Sequence, residues 1–242
     1  SCNESLVIMS LKTLQDFPIS ALWKPAHPDR LQLYSFPSAN GVKVSVALEE
    51  LGVPYEAHLV TLEQAGSPAF RSLNPNGKIP AIIDPNGPGG EALALWESGA
   101  ILIYLAEQYG GLFPKSAVLK YETVQWLMFQ MGGIGPMFGQ YGYFSKFAGK
   151  EVEDPRPREH FRNQGRRLMG VLEARLKDRQ WIMGDDYTIA DIAIFPWIRS
   201  AQIRYGAGEA LGFEEAPYTM VWMERCIARP ASIIGLNMPP RR

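Results

Sequence analysis

A chain of 242 residues, 46% hydrophobic and 20% charged, is long enough to bury a substantial core in one large domain or two small ones, and its composition is not that of a disordered segment. With 24 basic against 25 acidic side chains the net charge is -1, so no global field draws the chain to a phosphate backbone and no nucleic-acid partner is expected. Cys2 and Cys226 stand far apart with no C-x-x-C spacing, and no apolar run approaches the roughly 18 residues of a membrane span. A disulfide scaffold, a zinc finger and a membrane anchor are disfavoured, and a reducing, cytoplasmic setting is expected; Ser1 in place of a methionine reads as a processing remnant.

Residues 1–30 hold Pro18, Pro25 and Pro28 among scattered aromatics without a sustained period, which reads as an extended arm lying on the surface of the rest of the chain. LQLYSF from Leu31 is a strand pattern, SANG at 38–41 a turn, and VKVSVALEELG a helix that sets Val44, Ala47, Leu48 and Leu51 on one face and stops at Gly52. EAHLVT at 56–61 is a second strand, with a polar loop and a short helical stretch after it as far as Pro75. IPAIID at 79–84 and EALALW at 91–96 flank the turn PNGPGG and predict an antiparallel pair. SGAILIYLAEQYGG from Ser98 is a helix closed by glycines. The order β-α-β-α-β-β-α is complete by residue 111, which predicts a small mixed sheet in a domain over 31–112. Beyond Leu112-Phe113-Pro114 the pattern is helical only, over 118–145, 155–178, 188–206 and 217–228, which predicts an all-helical domain over 118–230 and a tail over 231–242.

Three segments can carry chemistry. Ser38-Ala39-Asn40-Gly41 opens the first helix, where unpaired N–H groups and the positive dipole end favour an anion; the same residues are also ordinary turn and cap formers. In Asn76-Gly77-Lys78-Ile79-Pro80-Ala81 a proline opens a strand. A cis bond in a tight turn leaves the Ile79 N–H and C=O outward for a peptide-like ligand, and a trans proline at a strand start is the plain alternative. Glu97-Ser98 at a strand–helix junction suits the ammonium and carboxylate of an amino-acid head group, or else is a surface acid beside a cap. Thr188-Ile189-Ala190-Asp191 fits a capping box. Gly132-Gly133-Ile134-Gly135-Pro136 has no strand before it, so it predicts a helix bend, not a dinucleotide turn. Met128, Met131, Met137, Phe138, Tyr141 and Tyr143 line either an apolar acceptor pocket or the core. Arg156, Arg158, Arg162, Arg166 and Arg167 alternate with acids as on a solvated helix face, and His27 and His58 have no partners at metal-ligand spacing, so no metal site is expected.

Taken together, PSANGVKVSVALEE, LNPNGKIPAIID, WESGAILIYLAE, VQWLMFQMGGIGPMFGQ and YTIADIAIFPW resemble the cytosolic glutathione transferases over residues 31–230. Within that family the chain is most similar to the nu class, the branch related to bacterial disulfide-bond reductases and the yeast prion regulator. The resemblance implies a thioredoxin-like domain followed by an all-helical one, a homodimer, and one or two glutathione molecules per subunit. It places Asn40 against the glutathione sulfur, with Ser38 where the class usually has threonine. It gives Ile79 before Pro80 the cysteinyl backbone, Glu97 and Ser98 the γ-glutamyl group, and Lys78 a place near the glycyl carboxylate. Gln125, and more weakly Gln64, match second-glutathione or loop contacts. Glu159-His160-Phe161 departs from the class, which carries arginine where His160 stands, so His160, Arg158 or Arg162 must substitute there. Met137, Tyr141 and Tyr143 are the expected acceptor-pocket residues. The implied chemistry is a glutathione thiolate, held by hydrogen bonds from the catalytic pair Ser38 and Asn40, that attacks small disulfides, peroxides or electrophilic aromatics. Aryl-ether cleavage of lignin-derived compounds, and a non-catalytic binding or regulatory module, are the alternatives. Lowering a thiol pKa of about 8.5 by two units takes about 2.7 kcal/mol, and hydrogen bonds to a charged acceptor supply roughly 1.5–3 kcal/mol each. Cys226, in an amphipathic helix, is expected to be buried and inert.

Overall fold

The computed structural model describes residues 10–241, and Cys2 lies outside them. Strands β1 (Leu31–Ser35), β2 (Tyr55–Leu59), β3 (Ala81–Asp84) and β4 (Leu93–Trp96) form one sheet in the order β2-β1-β3-β4, with β1 parallel to β2 and antiparallel to β3, and β3 antiparallel to β4. The β3–β4 ladder begins at Ala81 opposite Trp96, just past Pro80, which has no N–H to give it.

Alternation along the strands serves two cores. Leu31, Leu33 and Ile82 face α2 (Gly41–Leu51) and α5 (Ser98–Tyr109), while Tyr34, Ala81 and Ile83 face the other way. That second face is closed by the arm. Leu14 and Ile19, the latter in α1 (Ile19–Leu22), are buried with Phe70 of α4 (Pro68–Arg71), which comes after the short helix α3 (Leu62–Ala65). Glu56 accepts from the Ala26 and His27 N–H groups, both at 2.8 Å, and the Lys12 carbonyl accepts from Ala92 N–H at 2.9 Å. The described part of the arm is therefore the cover of a sheet face.

Helices α6 (Ala117–Phe129) and α7 (Gly135–Lys146) are joined without a break by a π-helical turn over Gln130–Ile134, at the glycines that predicted a bend. Helices α8 (Arg156–Leu176), α9 (Ile189–Ile203) and α10 (Pro217–Ile227) complete the helical region, and α11 (Pro230–Gly235) occupies the start of the segment expected to be tail. Pro230 at the first helical position starts α11. Its end is held by Ser45 of α2, whose Oγ donates to the Gly235 carbonyl at 2.6 Å. Glu50 of α2 also takes both arms of Arg229, at 2.6 and 3.0 Å. Helix α2 thus packs on α5, α9 and α11 at once, and one hydrophobic core runs from the sheet into the helical region.

Thr188 and Asp191 form the expected capping box, and Asp191 does more than cap. Fully buried, it accepts from Ile182 N–H (2.9 Å), Thr188 N–H (3.0 Å) and Trp222 Nε1 (2.8 Å), while burial pushes its pKa up to about 6. Cys226 is buried, and burial raises its thiol pKa well above the ordinary value. Asp191→Ala leaves three buried donors unpaired, each worth about 1–3 kcal/mol. Urea unfolding is expected to show a loss of about 3 kcal/mol or more, with Asp191→Asn, which keeps one acceptor, losing less.

Candidate functional site

The bend after β1 is tight because Ser38 N–H donates to the Phe36 carbonyl at 2.7 Å and Val42 N–H returns to the Ser38 carbonyl at 3.0 Å. Gly41 is required there: a Cβ would stand 1.9 Å from the Phe36 carbonyl oxygen. The bend sets Asn40 at the head of α2. Asn40 Oδ1 accepts from Lys43 Nζ at 2.9 Å and from Trp197 Nε1 of α9 at 3.0 Å. Ammonium and indole N–H groups only donate, so the shared atom is the amide oxygen and both its lone pairs are used. The Nδ2 end, with two N–H groups, has no partner among the described residues, and Asn40 lines a cavity of about 500 Å³.

The same cavity is lined by Lys78, Ile79, Pro80, Glu97 and Ser98. The loop before β3 is held by Asn74, which donates from Nδ2 to the Lys78 carbonyl at 2.6 Å and accepts from Asn76 N–H at 2.9 Å. The Ile79–Pro80 bond is cis. Neither the N–H nor the C=O of Ile79 has a partner among the described residues, so both are available to an extended ligand. Glu97 is a non-glycine residue at φ 71°, a conformation that costs energy unless the surroundings impose it. It precedes Ser98, the first residue of α5 and only 3% exposed, where open N–H groups and the hydroxyl suit a carboxylate. An exposed acid beside that point suits an ammonium.

Not every predicted residue comes to this cavity. Ser38 Oγ accepts from Gly41 N–H at 3.4 Å, and Ser38 lines a second cavity of about 730 Å³ together with Phe36, Pro196 and the guanidinium-bearing Arg199, Arg204 and Arg241. Gln64 accepts from Thr61 N–H in the cap of α3 and lies beside Trp23 and His58. Gln125 on α6 and His160 on α8 are exposed outside all of these cavities. Tyr141 and Phe138 are buried in the core, Met137 packs against it, and Tyr143 is exposed with its ring edge-on to Phe144. Of the methionine and aromatic set, Met131 lines the first cavity. Among the described residues no cluster of acids, histidines or cysteines has the makings of a metal site.

Three residues that sequence pattern does not single out for this role complete the site: Lys43, Gln130 and Trp197. Lys43 is fully buried, and its Nζ donates to Asn40 Oδ1, to Ser98 Oγ at 3.1 Å and to Gln130 Oε1 at 2.5 Å, with Met131 Sδ at 3.7 Å. Burial pushes its pKa down to about 7, against a smaller upward pull from Glu97. Gln130 reaches Lys43 from the π turn, a feature that often re-aims side chains at functional sites. Gly135 leaves room for it, since a Cβ there would lie 2.7 Å from Gln130 Nε2. One local signal exists: Lys43 sits a helical turn past Asn40, in the middle of an apolar run.

Residues 37–108 match the glutathione S-transferase N-terminal domain, and residues 135–230 match the glutathione S-transferase C-terminal domain. The disulfide-bond oxidoreductase YfcG of Escherichia coli is 38% identical over 205 residues, covering 84% of this chain and 92% of that protein. A Burkholderia graminis glutathione transferase, crystallised with two glutathione molecules per subunit, superposes with a TM-score of 0.93 at 56% identity over 98% of this chain and 100% of its own. A Pseudomonas putida glutathione transferase with one glutathione disulfide per subunit gives 0.92 at 54% identity, over 94% and 100%. A thioredoxin-like domain followed by a helical one is the architecture these matches share, and a polar cavity is lined from both. The chain belongs to the glutathione S-transferase family.

A lysine whose folded pKa lies below its unfolded 10.5 binds its proton less tightly in the native state, so the unfolded chain holds more protons between the two values and stability rises with pH in that window. Between about pH 7 and about pH 8.5 the gain is about 1.5 kcal/mol. Urea unfolding at the two pH values is expected to show it, and Lys43→Met to abolish it.

Proposed function

We infer that this chain is a glutathione-dependent disulfide reductase of the nu class, acting as a cytoplasmic homodimer. The supporting observation is the meeting, in one cavity, of three groups that fit the three parts of glutathione. The unpartnered Asn40 amide suits the sulfur, the free Ile79 backbone pair suits the cysteinyl unit, and Ser98 with Glu97 suits the γ-glutamyl head group. Lys78, at the rim, meets the glycyl carboxylate. Among the described residues no helix is long and apolar enough to cross a membrane.

Asn40 supplies N–H donors to a developing thiolate, each worth roughly 1.5–3 kcal/mol to a charged acceptor, and so lowers the thiol pKa. The thiolate forms an S–S bond to one sulfur of the disulfide and expels the other as a thiolate. A second glutathione thiolate then attacks the mixed disulfide, releasing glutathione disulfide and the remaining thiol. The acceptor sulfur meets the thiolate at Asn40, and the carboxylates of the acceptor and of the second glutathione are assigned to the cavity beside Ser38, which Arg199, Arg204 and Arg241 line together with Phe36, Pro196 and Leu236. Gln64, Gln125 and His160 lie elsewhere in this subunit. The aryl-ether reading is the less supported one, because it drew on Met137, Tyr141 and Tyr143, which do not line either cavity.

Retention on immobilised glutathione with turnover of hydroxyethyl disulfide is the expected result. Retention without turnover of a disulfide, hydroperoxide or aryl ether supports the binding-module alternative, and no retention contradicts both. Asn40→Ala is expected to raise the pKa of bound glutathione, monitored by thiolate absorbance, and to lower kcat more than affinity; an unchanged titration removes Asn40 from this role. Arg199→Ala is expected to cost about tenfold in kcat/KM for disulfides bearing carboxylates and little for neutral ones.

A further inference from the structure

Lys43 is the one fully buried ammonium among the described residues, and no carboxylate there forms an ion pair with it. Its own helix contributes no acid, since Glu49 accepts from Tyr55 Oη and Glu50 from Arg229. Helix α5 brings Ser98 and, at the cavity edge, Glu97; the π turn brings Gln130 and Met131; α9 reaches it only through Trp197 and Asn40. Three acceptors, Asn40 Oδ1, Ser98 Oγ and Gln130 Oε1, match the three N–H groups of an ammonium, whereas a neutral amine has only two and a lone pair. The cage therefore favours the charged form while desolvation opposes it, which leaves the group balanced near neutrality with no counter-ion of its own. Two of the three acceptors, Asn40 and Ser98, are residues that face the cavity. An anion on either one stands a single hydrogen-bonded residue from the ammonium.

We propose that Lys43 is a positioning residue whose ammonium is the buried counter-charge of the bound ligand's thiolate and carboxylate, gaining a proton as the glutathione thiol loses one. The balance is internal: neutral Lys43 and the thiol become ammonium and thiolate with the same number of protons, so no outside acid or base is consumed. Through Asn40 Oδ1 the same ammonium keeps the Nδ2 donors turned to the sulfur. This rests on the glutathione reading of the cavity.

The test is calorimetric titration at about pH 8 in two buffers of different ionisation enthalpy, which counts protons exchanged on binding. S-methylglutathione has the carboxylates but no thiol proton to give. The wild-type protein is expected to take up about half a proton or more with it, and to show little net exchange with glutathione, where thiol and lysine cancel. Lys43→Met is expected to lose that uptake and to hold at least about tenfold less thiolate at a pH below the bound pKa, read by thiolate absorbance. No uptake of S-methylglutathione-linked protons by the wild type, or equal uptake by Lys43→Met, overturns the role of Lys43. The wild-type count alone decides if the variant does not fold. Failure of either ligand to bind the wild type overturns the glutathione reading as well, and so is distinct from binding without proton uptake.

Discussion

Both lone pairs of Asn40 Oδ1 are occupied, one by an ammonium from the same helix and one by an indole from the opposite domain, and the rest of the site depends on that saturation. An asparagine free to rotate presents donor or acceptor with similar ease, and at a sulfur the difference decides whether the thiol or the thiolate is favoured. With the oxygen committed, only N–H groups remain for the ligand. The positioning is inexpensive in side-chain entropy because Lys43 and Trp197 are themselves buried, with Trp197 packed into the core from α9.

The helical domain accordingly supplies hydrogen bonds to the candidate site as well as a wall of the cleft. Trp197 and Gln130 both belong to it, and both act on groups carried by the head of α2. The relative placement of the two domains is in turn fixed from the far end of α2, where Ser45 holds Gly235 and Glu50 holds Arg229 over the Tyr187 ring. A single 11-residue helix thus carries the candidate anion site at one end and the contacts that join the domains at the other. Strain at Glu97 and the π turn at Gln130 are local departures from regular backbone, and both sit where side chains must be aimed at this point.

Much of this was legible in the sequence. Strand alternation and glycine stops gave β1, α2 and α5 to within a residue or two, because period and capping are local properties. The capping box at Thr188 was readable for the same reason, while the further bonds of Asp191 to Ile182 and Trp222 were not, since they join residues that no local pattern connects. Asn40, Ile79, Glu97 and Ser98 were readable through motif resemblance, and they do share a cavity. Lys43 was hidden by expectation: a charge in an amphipathic helix is usually solvated, and its burial here depends on Gln130, whose direction is set by an i→i+5 turn that no hydrophobic pattern reveals. Met137, Tyr141 and Tyr143 have the composition of a pocket, but Tyr141 and Tyr143 stand two residues apart on α7 and so on opposite faces, which leaves Tyr141 in the core and Tyr143 in solvent.

The most direct measurement is a crystal structure of the protein with reduced glutathione at a pH above the bound thiol's pKa. The sulfur should lie within hydrogen-bonding distance of Asn40 Nδ2, with Lys43 Nζ and Trp197 Nε1 still on Oδ1. A sulfur turned to Ser38, or an Asn40 amide rotated so that its oxygen meets the ligand, would contradict the orienting role assigned to the lysine and the tryptophan.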